Sequence, residues 1–342
     1  MKKLIALTLF ALVAFASCKK DTKTTSTTTT PPATTPAPQL RFVFKFDSTQ
    51  VRLGSFGQVD SVLPANHRAQ NPHFNGMSSH YIELTPNVNT QVGAGVIIYT
   101  TPATPTTAIT VGTGSSQAIY NNAIEFNQET VVGQGGQFYS IPIANVTPGT
   151  YHYLRISVAY QNYDIRYGIA AGTTVPGHTF TSNYPATGTI ASFIGYYTQI
   201  GSYTIKTQNV AVNECKQQGY WGFESAPIVI GGTSYSVAPS SGQAPQGATT
   251  VVNPLFATSA VKAGSCLVTG RFVGPTGAVS DSVLTITGHE TSDIVITVSM
   301  STNKSFEWLH SASSPDDGRI YPGSGDTVVN MGVRGMMPKL PQ

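Results

Sequence analysis

Apolar and polar residues alternate along much of the chain after residue 40. In residues 41–47, Phe42, Phe44 and Phe46 alternate with mostly polar neighbours. This period of two is typical of half-buried β-strands. The two clearest further series are Leu154, Ile156, Val158 and Tyr160, and Ile294, Ile296, Val298 and Met300. Other strands are predicted at residues 81–84, 96–100, 123–126, 137–143, 190–212, 266–273, 284–287 and 328–333.

The pattern predicts an all-β protein. No long stretch has a helical period, and clusters drawn from 33 glycines and 22 prolines separate the predicted strands. We therefore expect residues 40–342 to form an antiparallel β-sandwich, as one elaborated sandwich or as two packed β units. A boundary between two units would fall within residues 213–264. Residues 63–79, which are rich in Asn, His and Pro, are predicted to form a loop.

The N-terminal residues have the layout of an exported lipoprotein. Lys2 and Lys3 precede an apolar run at residues 4–16, and small residues come directly before Cys18. This resembles the lipobox of bacterial lipoproteins, so we predict a signal peptide at residues 1–17 and attachment of a lipid such as palmitate to Cys18. The thirteen residues of this run fall short of the roughly 20 that a spanning helix needs. An ordinary signal peptide with a coincidental cysteine is the alternative.

A tether is predicted between the lipid and the folded body. Residues 18–39 are mainly Thr, Pro and Ala after the cysteine, and they contain no aromatic side chain. Such a segment has nothing to bury, so we expect it to stay disordered or to adopt polyproline-like conformations. For its Thr- and Pro-rich residues 21–38, at about 3.1 Å per residue, the extended limit is roughly 55 Å, which would hold the body away from the membrane.

Charge and motifs argue against several classes of function. Charged residues make up 10% of the chain, and loss of two signal-peptide lysines lowers the net charge from +3 to +1. No basic patch remains for nucleic acid, so we expect no nucleic-acid partner. Serine-hydrolase, P-loop, dinucleotide and zinc-protease motifs are missing. Glu125 with Glu129, or Glu224 with Glu307, could still act as acid and base in a glycosidase if each pair were about 5–10 Å apart.

Two cysteines besides Cys18 could form a disulfide. If Cys215 and Cys266 pair outside the cytoplasm, closing a loop of about 50 residues would stabilise the fold by roughly 3–4 kcal/mol. Their spacing in the sequence does not show whether the Cα atoms are close enough. A disulfide and two free buried thiols therefore both stay open.

An acidic loop near the C-terminus is a candidate calcium site. Asp316 and Asp317 precede a glycine, and Asp326 could fold back toward them. Carboxylates and backbone carbonyls on a sharp turn are the ligands that calcium prefers. The alternative is a Pro-Asp-Asp-Gly turn between two strands.

Three histidines form a second candidate metal site. His67, His73 and His80 lie in one short region with Met77 and Glu83, and imidazoles with such neighbours can bind copper or zinc. Their spacings match no compact ligand pattern. Solvated histidines on a polar loop are the alternative.

Aromatic residues suggest a binding surface. Tyr196, Tyr197, Tyr220 and Trp221 lie in two aromatic-rich stretches, and amphipathic rings bind sugars and protein partners at low entropic cost. The alternative is that these rings belong to the core, since strands are commonly built from aromatic residues.

Several segments carry a resemblance to known proteins. They are IASFIGYYTQIGSYTIK at 190–206, GYWGFE at 219–224, SFEW at 305–308 and DDGRIYPGSGDTVVNMGVRGM at 316–336. In these segments the chain resembles a group of uncharacterised Bacteroidota lipoproteins of the cell envelope. The resemblance implies an envelope location and a β-rich shape, and it implies no activity, substrate or catalytic residue.

These observations lead to three functional hypotheses. The first is a lipid-anchored protein of the cell envelope, at the outer membrane, that acts as a non-catalytic binding or structural module for a glycan, a peptide or a partner protein. The second is a metal-binding envelope protein that takes calcium, copper or zinc. The third is an enzyme resembling a glycoside hydrolase.

Overall fold

The structure is a computed structural model. It describes residues 36–53, 59–60, 62–101, 109–111, 118–120, 123–244, 266–277 and 282–341. Cys18, the predicted signal peptide and most of the predicted tether lie outside these residues. Residues Ala37–Gln342 form one compact unit. Within the described ranges, no helix is long and apolar enough to cross a membrane.

The regular secondary structure of the described residues is almost entirely β-strand, as the sequence predicts. In chain order the strands are β1 (Gln39–Asp47), β2 (His67–Gln70), β3 (His73–Thr85), β4 (Val96–Thr100), β5 (Ile109–Val111), β6 (Ala118–Tyr120), β7 (Ile124–Glu125), β8 (Gln137–Pro142), β9 (Gly149–Tyr151), β10 (Tyr153–Ile169), β11 (Thr174–Val175), β12 (His178–Thr179), β13 (Tyr184–Phe193), β14 (Tyr197–Thr204), β15 (Asn209–Gln217), β16 (Tyr220–Ser225), β17 (Ile228–Ile230), β18 (Thr233–Tyr235), β19 (Ser240–Gln243), β20 (Cys266–Arg271), β21 (Leu284–Ile286), β22 (Ile294–Ser301), β23 (Phe306–Leu309), β24 (Thr327–Met331) and β25 (Met336–Lys339). Short 3-10 turns occur at Phe126–Gln128, Ile143–Asn145 and Pro322–Ser324. Several antiparallel sheets pack together, which confirms the all-β, sandwich-type fold.

A seven-stranded sheet forms the centre of the body. Its order is β19-β16-β13-β10-β3-β4, and β20 pairs with the first half of β10. The alternation that predicted β10 is confirmed for Leu154, Ile156 and Val158, which are fully buried in the main core. The prediction that Tyr160 shares their face is wrong, because the pairing of β10 with β3 is irregular between Val158 and Tyr160, and Tyr160 packs in a different apolar cluster. Arg155 and Ser157, which point to the other face, are buried as well. Both faces of this sheet are therefore covered, and β10 is not half-buried as its sequence pattern suggests.

A four-stranded sheet, β25-β22-β1-β8, packs on one face of the central sheet. The ring of Phe44 in β1 stacks on Phe138 with centroids 3.8 Å apart. Phe74 of the central sheet lies between Phe46 and Tyr163, at 5.2 and 5.0 Å, and joins the two layers. A three-stranded sheet, β2-β23-β24, contributes Phe306 and Trp308 to the same apolar core.

A second, smaller core lies on the opposite face of the central sheet. There the sheet β15-β14-β7 covers a separate apolar cluster. Its largest members are Tyr160, Phe193, Tyr203 and Tyr220, and Ile200 belongs to the same cluster. The body is thus a layered β structure in which consecutive residues of a central strand face two different cores.

The prediction of a loop at residues 63–79 is wrong. The segment contains β2 and the first half of β3. Its polar side chains are paired inside the sheets: the Gln70 amide donates to the Arg166 carbonyl at 2.8 Å, and Asn75 donates to Asn162 and Asp164 at 2.9 Å each. The polar composition wrongly predicted a loop, because the hydrogen-bond partners of these side chains lie about ninety residues away along the chain.

Candidate functional site

An apolar cleft of about 560 Å³ lies between the central sheet and the sheet β2-β23-β24. Central strands supply its floor, where Ile165, Tyr167 and Ile169 of β10 share one face because side chains alternate along a strand. Strand β16 adds Trp221 and Phe223. The far wall comes from β24, with Thr327, Val328 and Met331.

Two glycines allow the large rings of β16 to approach the backbones of the neighbouring strands closely. A Cβ atom on Gly242 would be 2.7 Å from Cζ2 of Trp221, and one on Gly188 would be 2.4 Å from Cε2 of Phe223. The Phe223 ring also meets Tyr167 edge-on, with centroids 5.2 Å apart. These contacts hold the aromatic wall of the cleft in place.

The chemistry of the lining favours binding over catalysis. Among the described residues around the cleft, Tyr167 is the one ionisable side chain, and its hydroxyl donates to Ser225 Oγ at 2.7 Å. Burial raises the pKa of Tyr167 above its usual value. The amide of Gln243 donates to the Gln218 carbonyl at 2.6 Å. This lining therefore offers apolar surface and few polar groups for a ligand.

The four predicted binding aromatics do not form one platform. Trp221 lies at the cleft, whereas Tyr220 points to the opposite face and is 7% exposed in the second core. Tyr196 meets the ring of His80 edge-on at 5.4 Å, and Tyr197 lies 6.0 Å from Tyr196. Only Trp221 of the four lines the cleft.

The three histidines lie in three different environments. His67 Nδ1 is 2.5 Å from Glu307 Oε1, in a network that also contains Arg52 and Arg334. His73 is exposed, with its Nδ1 3.9 Å from Asp164. His80 is buried, and desolvation lowers its pKa to about 3. They are therefore not brought together as one set of ligands.

The acidic loop is held by protein donors. Arg68 donates to both oxygens of Asp316 at 2.7 Å and keeps the pKa of that carboxyl below its usual value. Asp317 accepts from Arg319 and from the Tyr321 hydroxyl, at 3.0 and 2.9 Å. The amides of Ser311 and Tyr321 donate to Asp326 at 2.8 Å.

Across the described ranges, no group of three or more His, Cys, Asp or Glu side chains is arranged to hold a metal ion.

The two cysteines are free thiols. Cys215 is buried on β15, and Cys266 is the first residue of β20, so the two belong to different sheets. Burial raises the pKa of each thiol to about 11. Of the two alternatives from the sequence, the structure contains the unpaired thiols.

The candidate catalytic glutamates are mostly used in structural contacts. Glu224 accepts from the Thr207 hydroxyl and from the amides of Lys206, Thr207 and Gln208, and although burial opposes it, these bonds lower its pKa. Glu307 accepts from two arginines of the buried network.

Glu129 differs from these glutamates. Burial raises its pKa to about 7, although its contacts with Thr101, whose hydroxyl donates to Oε1, and with Ser78 act in the opposite direction. Glu125 also has a raised pKa because it is partly buried.

Comparison with known proteins gives no relative for this chain. No family model, no curated protein and no solved structure matches it. The function is therefore inferred from the geometry of the cleft. Sequence reasoning found Trp221 but missed Tyr167, Phe223 and Met331, although the alternation of apolar residues at 165, 167 and 169 marks one side of the cleft.

Proposed function

We propose that the protein is a lipid-anchored, non-catalytic binding module of the cell envelope, whose cleft takes apolar groups presented by a peptide or a partner protein. The observation that carries the proposal is the cleft itself, with Trp221 and Phe223 on one wall and Val328 on the other. Its volume of about 560 Å³ lies within the range of small-ligand sites.

The lining favours apolar side chains over a glycan. A sugar needs several hydrogen-bonding side chains around an aromatic face. Among the described residues of the cleft wall, the hydroxyl side chains apart from Tyr167 are Ser240, Thr173 and Thr327. Fully burying one Leu or Phe side chain contributes about 1.5–3 kcal/mol. Two such groups would contribute about 3–6 kcal/mol before the entropic cost of association, which suits a reversible complex.

The N-terminal pattern supports the location. The signal-like residues before Cys18 and the Thr- and Pro-rich residues 21–38 would place the body at the outer membrane, on the end of a tether. A binding module held in this way meets ligands at the membrane surface.

A fluorescence titration tests the proposal. The full chain carrying Cys18→Ser, which cannot be acylated, is titrated with anilinonaphthalenesulfonate, a dye that fluoresces in apolar sites. Trp221→Ala removes part of the aromatic wall, and losing about 40 Å² of apolar contact at about 25 cal/mol per Å² weakens dye binding roughly five-fold.

Val295→Ala is the matched control for this titration. Val295 is an apolar side chain of β22 that is 36% exposed and does not line the cleft. We expect this variant to bind the dye like the parent chain. Equal dye affinity of Trp221→Ala and the parent chain would refute the proposal.

A further inference from the structure

Two strand edges border the apolar cleft. Strand β19 ends the order of the central sheet, and β24 ends the order of the sheet β2-β23-β24. Within the described residues, each of these strands pairs with a neighbour on one side. Ser240 and Gln243 of β19 and Val328 of β24 line the cleft, so both edges lie beside the apolar surface.

The edge of β19 lacks most of the features that normally protect an edge strand. Natural edges are blocked by charged residues, prolines or bulges, because unpaired N–H and C=O groups recruit another strand. The sequence of β19 is Ser-Ser-Gly-Gln, without charge or proline, and its pairing with β16 is regular. Ser240, Ser241 and Gln243 are exposed.

The register of β19 directs an added strand toward Trp221. Gly242 lies opposite Trp221 in the pairing of β19 with β16, and the two share the cleft face of the sheet. Because Gly242 has no side chain, the indole ring lies against its backbone. If another strand paired with β19, its side chain opposite Gly242 would lie on the cleft face and would contact the edge of the Trp221 ring directly.

We propose that the natural occupant of the cleft is an extended peptide that adds to the edge of β19 and places every second, apolar side chain against Trp221 and Val328. Main-chain hydrogen bonds to β19 supply affinity, and the cleft selects apolar residues at alternate positions. The inference rests on the proposed function, since it names the class of ligand for the same cleft.

Methylation of the backbone amides of a peptide tests whether it binds as an added strand. The probe is a short capped peptide in which Leu and Thr alternate, titrated into the full chain carrying Cys18→Ser. In a strand, the N–H groups of all Leu residues point to one side and those of all Thr residues to the other. Two variants, N-methylated on every Leu or on every Thr, therefore block opposite edges while keeping the side chains.

Strand addition predicts opposite results for the two methylated peptides. One should lose about ten-fold or more in affinity, and the other should stay within about three-fold of the parent peptide. Equal effects of the two methylation patterns, or failure of the parent peptide to bind, would overturn the inference. Trp221-dependent binding of anilinonaphthalenesulfonate alongside such a failure would leave the proposed function standing, whereas loss of both would remove both.

Hydrogen–deuterium exchange gives a second readout. The bound peptide should slow exchange of the amides in β19 (Ser240–Gln243). Strand β4 (Val96–Thr100), at the other edge of the same sheet, is the matched control and should exchange at an unchanged rate. Protection at β4, or none at β19, would contradict addition at the β19 edge.

Discussion

Replacing Glu129 by Gln should change how the stability of the protein depends on pH. The Glu129 carboxyl is largely buried beside Ser78 and Thr101, and the Thr101 hydroxyl donates to its Oε1. Burial raises its pKa from 4.5 to about 7. The folded protein therefore keeps a proton on Glu129 at pH values where the unfolded chain has released it.

The sign follows from this difference in bound protons. A raised pKa stabilises the folded state fully below the unfolded pKa of 4.5, and this contribution is lost as the pH rises to about 7. A shift of about 2.5 units at about 1.4 kcal/mol each corresponds to about 3 kcal/mol. Some solvent reaches the side chain, so we expect a loss of about 2–3 kcal/mol.

Urea unfolding of the two proteins at a series of pH values measures the effect. Gln keeps an oxygen that can accept from Thr101 and cannot ionise, so Glu129→Gln should match the parent near about pH 4 and exceed it by about 2–3 kcal/mol near about pH 8. His80, whose pKa is lowered to about 3, also makes stability depend on pH, but in the opposite direction. Because both proteins contain His80, its effect cancels when one stability–pH curve is subtracted from the other. The control is the exposed Glu214, which pairs with Lys216 at the surface; changed to Gln, it should differ from the parent by less than the roughly 2–3 kcal/mol expected for Glu129→Gln. A difference curve for Glu129→Gln that does not rise between about pH 4 and about pH 8 would refute the reasoning.

Two further predictions concern a buried ion pair and the anchor. Glu83 is fully buried, accepts from the amides of Gly93 and Gly95 at 3.0 and 2.7 Å, and lies 3.4 Å from Arg155. Glu83→Ala leaves a buried guanidinium without its carboxylate, so urea unfolding should show a loss of about 3–5 kcal/mol, against under about 0.5 kcal/mol for Glu214→Ala. Cys18→Ala should release the protein from the membrane fraction on cell fractionation, and retention there would contradict lipid attachment at this residue.

The strands themselves could be predicted from the sequence. The alternating phenylalanines at 42, 44 and 46 are found in β1, and the series around Ile156 and Ile296 in β10 and β22. Their pairing could not be predicted in the same way. Strands β1 and β22 pair in parallel, with Phe42 opposite Ile296, although about 250 residues separate them in the chain. The antiparallel pattern inferred from short spacing does not extend to this pair.

At the candidate site too, the sequence predicts the strand but not the environment of its side chains. Tyr220 and Trp221 are adjacent aromatic residues with similar neighbours, and both were predicted to bind. Because consecutive side chains of a strand point to opposite faces, one fills the second core and the other lines the cleft. When both faces of a strand are covered, an alternation of period two does not indicate which face packs in a core and which face lines a cleft.

The sequence by itself determined the all-β class and the positions of the principal strands, because a period of two is a property of neighbouring residues. It also supplies the whole case for an anchor at Cys18, which stays a prediction. Only the tertiary structure decided that residues 67–70 and 73–79 form strands, that the three histidines lie apart, and that β10, β16 and β24 meet at an apolar cleft. The physical reason is that burial and strand pairing depend on contacts between residues that are distant in the chain.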